Sequence, residues 1–258
     1  MLLIALCLIF ISLSLGIIGP CVLWNKMENV GDALSHSMML ALVINFLLPL
    51  DLFASSLVVA FLFAIFVELI SNDIRSANST KIISVSCLFI SLAILASDFF
   101  AGKIRIKEFM LGDILAVTTN DLYISIGILI SIVIFIYIFL DHIVLTAIAE
   151  ECALNAGVST RQVKFLSKLF LFLSITISAH IAGILLISAL ITIPASIARF
   201  FSYSPRQMVI LSGIISLIFS LISLCISFNW DIAYAPMLAL SLASTYLILG
   251  STKNANNY

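Results

Sequence analysis

Charge-free apolar runs long enough to cross a lipid bilayer recur along the chain, for example over residues 1–25, 33–50, 122–140 and 169–198. A hydrocarbon core takes about 20 apolar residues in a helix rising about 1.5 Å per residue. The runs lack the apolar/polar alternation that a transmembrane barrel with a polar lumen requires. The chain therefore reads as an all-α polytopic membrane protein. Composition agrees: 63% of the 258 residues are hydrophobic and 10% charged, against about 45–50% and about 25% in soluble domains. A net charge of −1 leaves no basic surface for nucleic acid. The partner that covers most of the surface is membrane lipid.

The apolar segments fall at about 2–24, 30–50, 52–71, 82–100, 122–141, 165–181, 183–200, 207–228 and 232–250. A single helix over 165–200 would reach about 54 Å, too long for one span. Ala182-Gly183 offers a break, so the pattern predicts nine transmembrane helices, or eight if that break fails. Ser204-Pro205 places a capping side chain before a proline at the first helical position. Asn120-Asp121 offers a similar cap, and Pro194 and Pro236 fall inside spans. The whole of 1–250 reads as one transmembrane domain, followed by a short tail at 251–258. The first segment lacks a basic start and a small-residue cleavage site, so it reads as a retained span. Five scattered cysteines with no C-x-x-C spacing read as small apolar residues.

Basic residues set the orientation. With nine spans, one side holds Lys26, Arg75, Lys81, Arg161, Lys164, Lys168, Arg199, Arg206 and Lys253. The other holds only Lys103, Arg105 and Lys107. The richer side, with the C-terminal tail, is expected in the cytoplasm and the N-terminus outside. The outer loop at 101–121 is half apolar and is expected to fold back on the bundle. The inner loop at 142–164 shows helical spacing, with Ile148, Cys152 and Ala156 on one face. A short amphipathic helix over about 146–157 is expected there. Gly157 suits the left-handed residue that ends it, and Ser159 to Gln162 offers a capping box for the next span.

Ionisable side chains inside a membrane are a functional hypothesis by default. Asp32 and His36, in Gly31-Asp32-Ala33-Leu34-Ser35-His36-Ser37, lie four apart and share a helix face. A carboxylate and an imidazole suit a first-row metal, zinc especially. The plainer reading makes Asp32 a cap and His36 a hydrogen-bonding partner of a neighbouring helix. His180 sits in an apolar run and is a weaker metal candidate. His142, Glu68 and Asp98 lie near span ends and receive no role. Glu150 and Glu151 read as a solvated polar face. No P-loop, H-E-x-x-H or G-x-S-x-G motif occurs, which leaves an enzyme reading little support.

Three blocks resemble one family, the membrane permeases of bacterial zinc/manganese ABC importers, most closely their zinc-uptake members. Val30 to Ser37 is similar to the family's G-D-x-[LV]-[SA]-H-[AS]. Leu111-Gly112-Asp113-Ile114-Leu115-Ala116-Val117, followed by Asp121-Leu122, is similar to F-G-D-[IL]-L-A-V…D-L. The run from Leu186 to Arg199 is similar to L-V-x-A-L-L-I-I-P-A-A-x-A-R. The resemblance runs through nearly the whole chain in order. Two departures bear on the metal. Ser76 to Ile82 lacks a histidine common in zinc permeases, and Tyr234-Ala235-Pro236-Met237 replaces late glycines.

The resemblance implies a non-enzymatic transport subunit in a bacterial inner membrane. It implies a homodimer around a central pathway, a separate ATPase that hydrolyses ATP, and an extracytoplasmic metal-binding protein. It carries a pathway-ligand role onto Asp32 and His36, and none onto His180. It makes Glu150, Glu151 and Gly157 the segment that docks into the ATPase. In the nine-span topology Phe109 to Val117, with Gly112 and Asp113, is expected to form part of the outer gate on the binding-protein side, with Asp113 capping a short helix there ahead of the alternative of helping to receive the ion. No permanent cofactor is implied; zinc is the cargo, with manganese or iron as the alternative. A proton-coupled carrier using Asp32, His36 and His180 as a relay is the reading from a different class. Hydropathy alone leaves Asp32 near a span end, shallow for a pathway ligand.

Overall fold

The computed structural model describes residues 2–73, 78–100, 118–182, 184–230 and 232–255. In chain order the described helices are α1 (Leu2–Trp24), α2 (Val30–Ser37), α3 (Met39–Leu47), α4 (Leu52–Asp73) and α5 (Asn78–Phe99). They continue with α6 (Thr119–Ile148), α7 (Glu150–Asn155), α8 (Thr160–Ala182), α9 (Ile184–Phe201), α10 (Pro205–Trp230) and α11 (Tyr234–Ala255). Among the described residues eight stretches are long and apolar enough to cross a membrane, and Ile187–Phe201 is a shorter apolar helix. The second span is α2 and α3 joined at Met38, whose φ of −63° and ψ of −14° tighten one turn without reversing the chain. Ala182 is the last described residue of α8 and Ile184 the first of α9; the break expected at 182–183 falls on Gly183, which lies outside the described residues.

The ends of these helices show that α9 crosses as well. One cavity of about 1090 Å³ is lined by Trp24 and Lys26 after α1, Asn78 and Ser79 of α5, Ala147 and Ile148 of α6, Arg199 of α9 and Met208 of α10. Those termini share one face of the bundle, so two crossings separate the end of α1 from the start of α5. Two more separate the end of α6 from the end of α9. Nine crossings satisfy that alternation. This face also carries α7 and is called the α7 end below.

α1 is the axis of the bundle and packs on α10, α6 and α9. Its apolar residues cover the helix all round, which suits a helix surrounded by protein. Close packing rests on small residues, as in membrane bundles generally. The Ser212 hydroxyl donates to the Gly16 carbonyl at 2.6 Å, and Ser216 donates to the Ser12 carbonyl. A methyl group on Gly19 would overlap the Ile191 carbonyl oxygen of α9. Edge-to-face rings then tie α4 to its neighbours: Phe63 stands 5.6 Å from Phe89 of α5 and 5.4 Å from Phe172 of α8.

Several local expectations change. α6 does not stop at 141 but continues to Ile148, because 142–148 still offers an apolar inner stripe: Ile143 and Thr146 are buried. Its cap is Thr118, two residues before the expected one, in a reciprocal box with Asp121. Pro236 falls in the first turn of α11, where no hydrogen bond is lost, whereas Pro20 and Pro194 lie inside helices. Ser204 does cap α10, accepting from Gln207 N–H at 3.3 Å. Cys7 and Cys21 are buried, but Cys87, Cys152 and Cys225 are exposed toward the surroundings; all five are free.

Candidate functional site

α2 is held from two sides, and the rest of its surface stays open. On one side the Ser86 hydroxyl of α5 donates to the Ala33 carbonyl at 2.7 Å, with Ser37 3.3 Å from Ser86. On the other, Gly31 meets α9 so closely that a methyl there would lie 3.1 Å from Ser188 Cα. Val30, Ala33, Leu34 and Ser37 are consumed by this packing. Asp32 and His36 are what remains on the free face. Their side chains are 67% and 35% exposed, and Asp32 Oδ1 lies 3.2 Å from His36 Nε2. Helical spacing therefore does place the two donors together.

Depth follows from the contact with α9. Ser188 lies thirteen residues before Phe201, the terminus of α9 at the α7 end, or ~20 Å up the helix. Asp32 sits beside that level although it is only the third residue of α2. The chain enters deep because α1 ends in a reversal. Lys26 takes a left-handed φ of 54°, Lys26 N–H bonds Leu23 O at 3.2 Å, and Met27 N–H bonds Val22 O at 2.9 Å. Met27 and Val30 are then fully enclosed. Hydropathy cannot see this, because the polar turn at 25–29 marks only a gap between apolar runs and the depth of α2 is set by its packing on α9.

Among the described residues no three of His, Cys, Asp and Glu converge in a metal-binding group. Asp32 and His36 are thus two donors, and an ion held here completes its shell with water or groups from elsewhere. His180 lies on the last turn of α8, and its side chain is outside the described residues. Gly112 and Asp113, with the 101–117 stretch, also lie outside them.

At the α7 end the expected helix over 146–157 is shorter. Ala149, with φ of −141° and ψ of 74°, separates α6 from the six residues of α7. Ile148, Cys152 and Ala156 do not form its buried face; Ala153 is the enclosed residue, and Ile148 and Leu154 stand exposed. Gly157 has φ of 76°, and the bonds Gly157 N–H to Leu154 O and Val158 N–H to Ala153 O, both 3.0 Å, make a Schellman end. Glu150 and Glu151 are exposed, and Glu150 lies 2.5 Å from Lys164 of α8. The Ser159 hydroxyl donates to the Gln162 side-chain carbonyl at 2.6 Å, a side-chain pair in place of the backbone bonds of the expected box.

One charged group that sequence reasoning passed over is well placed. Glu68 of α4 lies 2.8 Å from Lys168 Nζ and 3.7 Å from Arg161 Nε, both on α8. Lys168 and Glu68 are only 9% and 15% exposed. A carboxylate inside an apolar run was the available signal; its partner, a hundred residues away, was not.

The model of one family, the ABC 3 transport family, matches residues 1–252. The high-affinity zinc uptake system membrane protein ZnuB of Haemophilus influenzae is 29% identical over 93% of this chain and 92% of its own. The manganese import system permease protein ScaB of Streptococcus gordonii is 26% identical over 93% and 86%. The solved PsaBC from Streptococcus pneumoniae in complex with Fab superposes with a TM-score of 0.80 at 26% identity, covering 95% of this chain and 88% of that one. With a family match over nearly its full length on a nine-crossing helical bundle, this chain belongs to the ABC 3 transport family.

Proposed function

We propose that the chain is the permease subunit of an ATP-driven importer of divalent metal, zinc before manganese, in a bacterial inner membrane. The observation that carries this reading is the Asp32–His36 pair on an open face of a deeply placed helix. Two side-chain donors hold an ion loosely enough to let it go, which a conduction path requires. An imidazole donor favours zinc over manganese in the affinity series, while the carboxylate accepts either. Zinc-named and manganese-named relatives both support a metal cargo.

In this reading the α7 end is cytoplasmic. α7, with exposed Ile148, Leu154, Glu150 and Glu151, docks into a separate ATPase. A metal-binding protein delivers the ion at the opposite end. A second copy of the chain closes the open face of α2 and supplies further donors. The test is uptake of radioactive zinc by vesicles holding the complete ATPase–permease complex. ATP-dependent uptake lost in both Asp32→Ala and His36→Ala, with insertion intact, is expected. Full uptake in the double variant would sink the assignment, and uptake driven by a proton gradient without ATP would favour a secondary carrier.

A further inference from the structure

α9 keeps a half-exposed face on which Ser188, Thr192 and Ser196 follow one another. Each step of four residues moves ~6 Å toward the α7 end. Ser188 is the residue that touches Gly31, next to Asp32. Below it, the Thr192 hydroxyl donates to the Ser188 carbonyl at 2.7 Å, and Ser196 donates to the Thr192 carbonyl at 2.8 Å. With their protons committed, these hydroxyl oxygens turn only lone pairs outward.

The track ends in a cavity of about 290 Å³ lined by Glu28, Asn29, Thr192, Ser196 and Tyr246. Glu28 is exposed and has no ion-pair partner among the described residues. Asn29 stands at the N-cap of α2, yet its side chain makes no capping bond. Glu28 also lines the larger cavity where the helix termini meet at the α7 end. One carboxylate, one amide and two hydroxyls thus face a single space between the metal pair and the bundle's end. Oxygen donors of this kind accept divalent cations, and without an imidazole or thiolate they hold zinc less tightly.

We propose that Glu28, with Asn29, Thr192 and Ser196, forms a second, all-oxygen cation site that receives the metal after it leaves His36. The inference rests on Asp32 and His36 being cargo ligands. Its chemistry is a stepwise release: from a mixed nitrogen/oxygen pair to weaker oxygen donors, then to water, which divides the cost of leaving the tighter pair into smaller steps.

The test is equilibrium binding of zinc ion to the purified full-length chain in lipid nanodiscs. Asp32→Ala/His36→Ala is expected to remove the tighter binding and leave a weaker component. Adding Glu28→Gln to that background weakens the remainder by about tenfold or more, as loss of a metal-supporting group does. Thr192→Val/Ser196→Ala weakens it too, and Glu28→Asp, which keeps the carboxylate, preserves it and separates ligand loss from misfolding. The site is overturned if no weaker component exists, or if it survives Glu28→Gln unchanged. Unaltered tight binding in Asp32→Ala/His36→Ala overturns instead the reading of the metal pair itself.

Discussion

Lys26 and Gly157 occupy the same kind of position, the left-handed residue closing a Schellman end, with different consequences. A side chain at φ near +60° costs of order 1 kcal/mol. Lys26→Gly is therefore expected to stabilise the chain by about 0.5–1 kcal/mol, read as a raised unfolding midpoint in detergent. Gly157→Val moves the other way. A Cβ there meets nothing within 4 Å, so its cost is backbone strain alone, about 1–2 kcal/mol for a β-branched residue. That strain falls on the exit of α7. The expected result is zinc binding at wild-type affinity with ATP hydrolysis no longer stimulating uptake; coupled, full-rate uptake would contradict it. Gly157 was legible from sequence because glycine announces such a position. Lys26 was not, since nothing in a lysine marks a left-handed turn.

Among elements, α4 and α8 are joined by a charge pair that neither reveals alone. Removing one partner leaves the other's charge partly buried, at about 3–5 kcal/mol for a fully enclosed pair and about half that for this one, which retains some solvent. Glu68→Gln is expected to lower the unfolding midpoint, and Glu68→Lys with Lys168→Glu to restore much of it. Equal losses in single and double variants would mean the pair contributes nothing specific. The same limit explains what sequence reasoning missed elsewhere. Long apolar runs gave α1 to the residue and α4 to within two, because hydropathy is a property of one segment; α5 starts four residues earlier than its run, in the polar stretch Asn78 to Lys81. The length of α7 depends on which residues α8 and α6 cover, so periodicity in 146–157 overstated it and named the wrong buried face. The Asp32–His36 pair was legible because its spacing is internal to one helix; its depth was not, because α9 sets it.

At the scale of the molecule, every described basic side chain lies toward the α7 end: Lys26, Lys81, Arg161, Lys164, Lys168, Arg199 and Arg206. The positive-inside tendency predicts that this end lies in the cytoplasm. Single cysteines at Leu48, in the exposed connection from α3 to α4, and at Asn155 in α7 test this. The background must lack Cys87, Cys152 and Cys225, which are exposed. In intact spheroplasts an impermeant reagent is expected to label Leu48→Cys only. Labelling of both positions from outside would reverse or break the topology.

α6 adds a dependence on the bilayer itself. Asp121 and Asp141 are twenty residues apart on it, ~30 Å along the axis, with no charge between them. That interval equals a typical hydrocarbon thickness, and exposed Tyr123 and Tyr137 sit near its two ends like interfacial anchors. The helix is thus a ruler fixed at both ends, and its last turns, Asp141 to Ile148, hang ~10 Å beyond, carrying α7. A thinner membrane must tilt the ruler and a thicker one must thin around it or draw its ends inward, and the mismatch reaches α7 as a change in height. Coupled uptake should therefore peak at one acyl-chain length in a series of reconstitutions and fall on both sides, while zinc binding stays level.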